Sequence, residues 1–199
     1  KAGRIAAEGI IVTAQDESAS VLVEINCETD FVVKDDSFRA FSGAVASTVL
    51  GSEISDVEQL AGATIDGGVS SIEEARQELI TKIGENISVR RFEKISAGEG
   101  TVSCYLHGSR IGVLVKLTGG SAELGRDVAM HVAASNPLCI SEEEMDSDLL
   151  DREKAIFEAQ AAESGKPADI VEKMVGGRMR KFLKENTLLG QPFVKNTDQ

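Results

Sequence analysis

Residues 20–27 alternate between two faces, with Val21, Val23, Ile25 and Cys27 on one and Leu22, Glu24 and Asn26 on the other. A period of two marks a half-buried strand, which commits the stretch to a sheet with one apolar side. An earlier strand is expected over residues 5–12, with Gln15-Asp16-Glu17-Ser18 as the turn that follows it. Downstream the period changes. Phe38, Phe41, Val45 and Thr48/Val49 share one helical face, and Asp36 or Ser37 can cap its start. A second helix is marked more sharply: Ser71-Ile72-Glu73-Glu74 is a capping-box pattern, Ile72, Ala75, Leu79 and Ile83 form the stripe, and Gly84 ends it. Residues 87–92 return to a strand. The first half therefore reads strand, strand, helix, helix, strand.

The second half opens in the same way. Residues 100–105 are strand-like, His107-Gly108-Ser109 turns, and residues 111–117 form a strand. Ser121 caps a helix running through Ser135, which ends because Pro137 disfavours helix at Asn136. Val21-Leu22-Val23-Glu24 resembles Val113-Leu114-Val115-Lys116, and Val45-Ala46-Ser47 resembles Ala133-Ala134-Ser135. The spacing from strand to helix is longer in the first half, where residues 28–34 lie. The pattern implies a duplicated α+β unit.

Beyond Pro137, residues 147–164 and 168–184 read as two helices broken at Ser164-Gly165-Lys166-Pro167, where glycine ends one and proline opens the next. So short a connection makes them antiparallel neighbours. Gln191-Pro192-Phe193-Val194 reads as a return to the sheet, which places the hairpin inside the second copy. The fold expected is α+β: two related α+β subdomains, each a small antiparallel sheet with helices packed on it, plus an inserted helical hairpin or coiled-coil arm. The expected boundaries are 1–96 for the first subdomain, 97–140 with 185–199 for the second, and 141–184 for the arm. The chain opens on Lys1 and closes on Asn196-Thr197-Asp198-Gln199, and it reads as a fragment trimmed at both ends.

A formal net charge of −12 argues against direct nucleic-acid binding, which neutralises phosphates with clustered Lys and Arg. No apolar run approaches the roughly 20 residues of a membrane span, and there is no basic-then-apolar leader. Cys27, Cys104 and Cys139 are far apart with no C-x-x-C pair, the usage of a reducing, cytosol-like compartment. The acidic runs at Asp35-Asp36 and from Glu142 to Asp148 lack the spacing and turn glycine of a calcium loop, and His107 and His131 have no second histidine at zinc spacing. There is no G-x-S-x-G, no Cys–His signature and no P-loop. The reading is a protein without catalytic residues, metal or cofactor.

Thr29-Asp30-Phe31-Val32-Val33 stands apart. It lies between a strand and a helix cap, and consecutive apolar residues in a surface connection need a reason. Either Phe31 tucks beneath its own helix with Asp30 as a local cap, or Phe31 is an exposed aromatic anchor for a protein partner. Periodicity does not separate the two.

Glu24-Ile25-Asn26-Cys27-Glu28-Thr29-Asp30-Phe31-Val32 closely resembles the signature of the elongation factor Ts family. The resemblance continues through Lys82-Ile83-Gly84-Glu85-Asn86-Ile87, Val89-Arg90-Arg91, His107-Gly108-Ser109-Arg110-Ile111-Gly112-Val113-Leu114-Val115 and Met130-His131-Val132-Ala133-Ala134-Ser135. Ser164-Gly165-Lys166-Pro167, Gly177-Arg178-Met179 and Gly190-Gln191-Pro192-Phe193-Val194 complete it, in family order across nearly the whole chain.

The resemblance implies the duplicated core and inserted arm. It also implies a guanine-nucleotide exchange factor of translation elongation, cytoplasmic or in an organellar matrix, that binds elongation factor Tu and promotes GDP release. Asp30 and Phe31 would then enter the G domain near its magnesium and switch region, flanked by Thr29 and Val32, with Ile83, Gly84 and His107 at the same interface. The arm would serve oligomerisation, as in a homodimer, or secondary contacts. The alternative is a non-catalytic interaction or scaffold protein that keeps the fold. Two departures stand out: Val33 occupies a position where the family usually has a small residue, and an N-terminal helical module and a C-terminal strand and helix are expected but not found.

Overall fold

The computed structural model describes residues 3–196. The chain divides into two compact units, one up to Ala133 and one from Ala134. In the first unit β1 (Glu8–Gln15), β2 (Ala19–Cys27) and β3 (Ile87–Ser96) form an antiparallel sheet in the order β1-β2-β3. The alternation of residues 20–27 is realised in β2, where Val21, Val23, Ile25 and Cys27 are fully buried. Against them pack α1 (Asp36–Leu50) through Phe38, Phe41, Val45 and Val49, and α3 (Ile72–Ile83) through Ile72 and Leu79. Burying a side chain such as Phe38 contributes about 1.5–3 kcal/mol, so this layer of helix on sheet is where the first unit draws most of its stability.

Local differences from the sequence reading have physical causes. β1 begins at Glu8 rather than residue 5, because its register with β2 runs from Glu8 opposite Cys27 to Gln15 opposite Ser20. The turn is then short, and the Asp16 carboxylate holds it by accepting the N–H groups of Ser18 and Ala19 at 2.7 and 2.9 Å. The cap of α1 is Asp35, not Asp36 or Ser37. Its backbone is extended, so its carboxylate reaches the N–H groups of Ser37 and Phe38 at 2.8 and 3.0 Å. A short α2 (Val57–Gly62) was not expected; it buries only Leu60, too little to leave a periodic stripe. The capping box of α3 forms as read, and Gly84 ends the helix in the left-handed region at φ 91°.

Between β2 and β3 the register slips: Glu24 lies opposite Arg91 and Ile25 opposite Val89, leaving Arg90 as the extra residue of a bulge. Both arginines reach the Glu24 carboxylate, Arg91 at 2.6 Å and Arg90 at 3.6 Å.

β4 (Thr101–His107) and β5 (Ile111–Leu117) form a second antiparallel sheet of two strands. Its turn is tied to β1 by the Ile11 N–H, which donates to the Ser109 carbonyl at 2.7 Å. Gly112 permits the close approach of β5, because a Cβ there would stand 2.8–3.1 Å from Ile11 and Leu22, side chains of the sheet's second face. α4 (Ala122–Ser135) follows, its first turn satisfied by the Ser121 hydroxyl, which accepts the Leu124 N–H at 3.1 Å.

In the second unit α5 (Ser147–Ala162) and α6 (Ala168–Asn186) pack on each other. Arg178 lies over the Phe157 ring at 5.9 Å and donates to Gln160 at 2.7 Å. Gly165 takes φ 64° in the connection, and Pro167 precedes the first turn of α6. Residues 191–196 do not form the strand expected of a return to the sheet. Among the described residues their pairing is a single bridge between Phe193 and Asn196. The architecture is α+β, mixing helices with two small antiparallel sheets.

Candidate interaction site

The segment between β2 and α1 is fixed at both ends by buried residues. Cys27 closes β2 with no exposed surface, and its thiol donates to the Thr29 carbonyl at 3.2 Å. Burial, reinforced by the carboxylates of Glu85 and Glu8, pushes that thiol up to about 11, so it is protonated at neutral pH and unsuited to nucleophilic work. At the other end Val32 enters the core with 6% of its surface exposed. Val32–Lys34 is a turn of 3-10 helix, closed by Lys34 N–H on the Phe31 carbonyl at 3.1 Å and Asp35 N–H on the Val32 carbonyl at 2.9 Å.

Phe31 immediately precedes that turn and points the other way. The residue is 78% exposed, an outlier for an aromatic next to a core. Of the two readings left open by the sequence, the tucked ring is not what the structure shows, and the capping role belongs to Asp35. Asp30 is exposed beside Phe31. Thr29 is half-buried, and its N–H and hydroxyl donate to the two oxygens of Glu85 at 3.0 and 2.7 Å. In return Asn86 donates its N–H to Glu28 at 2.6 Å.

These bonds join the turn to the end of α3, and so bring Thr29, Asp30, Phe31 and Val32 into one region with Ile83 and Gly84. Ile83 is half-buried, and Gly84 closes the helix with its N–H on the Ile80 carbonyl at 2.9 Å. His107 belongs to a different element. It ends β4, exposed, with Nδ1 3.3 Å from the Tyr105 hydroxyl. Of these candidates Val32 is buried in the core, where it holds the turn in place, while Ile83 is half-buried against the same core.

Glu28 and Glu85 were not singled out from the sequence. Both lie in stretches quoted above, but a glutamate beside a turn looks the same whether it faces solvent or accepts a backbone N–H 56 or 58 residues away. The signal that could have found them is their placement, each within two residues of the end of a regular element.

The concave surface near β1 offers no rival. A cavity of about 190 Å³ is lined by Glu8, Glu24, Asn26, Arg91 and Arg110 among others, and its carboxylates are paired, Glu8 with Arg110 and Glu24 with Arg91. Among the described residues no cluster of His, Cys, Asp and Glu is arranged to hold a metal ion, and no helix is long and apolar enough to cross a membrane.

A family model described as elongation factor Ts matches residues 28–199. Curated relatives named elongation factor Ts include that of Thioalkalivibrio sulfidiphilus, 54% identical over 202 residues that cover 100% of this chain and 68% of the relative. The protein of that name from Methylococcus capsulatus is 54% identical over 201 residues, covering 100% and 68%. That of Legionella pneumophila is 50% identical over 198 residues, covering 98% and 67%.

Proposed function

The chain belongs to the elongation factor Ts family of translation elongation factors, and on that premise we propose that it binds elongation factor Tu and drives GDP out of it. The observation that carries the reading is the opposite disposition of neighbours: Val32 is locked into the core while Phe31 stands 78% exposed on a turn fastened from both sides. A large aromatic presented outside the core is the kind of side chain that dominates protein–protein contacts. Asp30, next to it, would enter the partner with the ring, near its magnesium and switch region. Thr29, Ile83 and Gly84 flank the pair, Val32 supports it from within, and His107 adds a contact from β4.

The activity is negative coupling between two ligands of one GTPase. A protein that weakens GDP binding must itself be weakened by GDP to the same extent. A 10⁴-fold effect requires about 5.5 kcal/mol of differential binding, whereas burying one phenylalanine contributes about 1.5–3 kcal/mol. Phe31 therefore acts with contacts elsewhere on the chain. Part of the effect comes from the metal, because magnesium demands near-octahedral geometry and tolerates little displacement of its ligands. No bond is made or broken in the partner, so the protein is an exchange factor rather than an enzyme in the chemical sense.

Two related subdomains suit a grip at separated points. The order hairpin-then-helix recurs, as β1–β2–α1 and as β4–β5–α4, which supports the duplication. The pair α5 and α6, which runs to Asn186 rather than ending at the expected 184, is then the inserted arm, available for secondary contacts or for pairing with a second copy.

The test is direct. Elongation factor Tu loaded with a fluorescent GDP analogue is mixed with the chain at saturating concentration and excess unlabelled GDP. Release is expected to accelerate at least about 100-fold. Stable binding with unaltered release would replace this reading with that of a non-catalytic interaction or scaffold protein.

A further inference from the structure

We propose that Glu85 is a positioning residue that sets where the Phe31 ring stands, a role that rests on the exchange reading above. With 78% of its surface exposed, Phe31 has little of the core to hold it, so its place is dictated by the backbone of residues 28–31. Four residues separate the buried ends of that stretch, Cys27 and Val32. Within it the bonds from Thr29 to Glu85 supply the anchorage. The N–H and the hydroxyl of one threonine meet the two oxygens of one carboxylate, at 3.0 and 2.7 Å. Hydrogen bonds to a charged acceptor are stronger and more directional than neutral ones.

Glu85 can make this contact because of its neighbour. Gly84 turns the chain through the left-handed region at φ 91°, and the next residue leaves α3 facing the end of β2. Glu28 completes the exchange by accepting the Asn86 N–H at 2.6 Å, and its other oxygen lies 3.5 Å from Arg4. Two loops, each just past the end of a regular element, thus trade a carboxylate for a backbone N–H. The trade fixes the spacing between the two segments proposed to meet the partner, residues 29–31 and residues 83–84. A ring held in place before encounter loses less conformational freedom on binding.

The chain contains no tryptophan, so Phe31→Trp places a single indole at the site. In that background Glu85→Ala is expected to lower the steady-state fluorescence anisotropy of the indole, while Glu85→Gln, which retains an acceptor oxygen, restores much of it. In the otherwise unaltered chain, Glu85→Ala is expected to slow GDP release from elongation factor Tu about tenfold, and Glu85→Gln less. Added to Phe31→Ala, Glu85→Ala is expected to slow release no further, since it acts through the ring. Unchanged anisotropy, or an equal loss with and without Phe31, would overturn the positioning role. The exchange reading fails on a different arm, Phe31→Ala releasing GDP at the unaltered rate, and the anisotropy arm still decides the role of Glu85. Thr29→Val, which removes only the hydroxyl bond, is expected to reproduce part of the anisotropy loss if Glu85→Ala does not fold.

Discussion

Adjacent residues in a connecting turn can have opposite jobs, and the pair Phe31 and Val32 shows why the chain spends two apolar side chains there. Val32 must be buried for the turn to hold its place, and Phe31 must be excluded from the core for a partner to reach it. The same division separates two aspartates. Asp35 satisfies the first N–H groups of α1, whereas Asp30 is exposed beside the ring. Asp35→Ala is expected to cost about 1 kcal/mol, seen as a fall of roughly 2–4 °C in thermal midpoint. Asp30→Ala is expected to leave the midpoint in place and to weaken binding to nucleotide-free elongation factor Tu in calorimetric titration. A lowered midpoint with unaltered affinity would reverse the two roles.

At the scale of elements, legibility followed the strength of the local signal. The alternation of Val21, Val23, Ile25 and Cys27 and the capping box at Ser71 each encode one structure unambiguously, and both appear as read. The start of β1 was misplaced because it is set by register against β2, a pairing that the residues of β1 do not announce. The short α2 carries too little burial to show a period. The exposure of Phe31 was undecidable for a related reason: an apolar residue in a turn has no partner face in its own sequence, and only the packed core shows that Val32 takes the available place. The carboxylate exchange of Glu28 and Glu85 was invisible because it joins segments distant along the chain. One element deserves a test of its own. Gly84→Ala places a Cβ in the left-handed region, which costs about 1–2 kcal/mol. It is expected to lower the thermal midpoint and, by turning Glu85 away from Thr29, to slow exchange as well. Loss of stability with full exchange activity would mean that the end of α3 matters only to folding.

Across the whole molecule, family membership and α+β architecture agree with what the sequence motifs implied, while the return of residues 191–194 to a sheet did not appear among the described residues. Gripping a GTPase firmly enough to expel its nucleotide requires several contacts in concert, yet one of them is separable by experiment because its side chain supports nothing else. The central claim is met most directly by stopped-flow release of a fluorescent GDP analogue from elongation factor Tu, comparing the chain with its Phe31→Ala variant. Release is expected to slow by roughly 10- to 100-fold while the circular dichroism and thermal midpoint of the variant match those of the unaltered chain. A folded variant that releases GDP at the original rate would contradict the account.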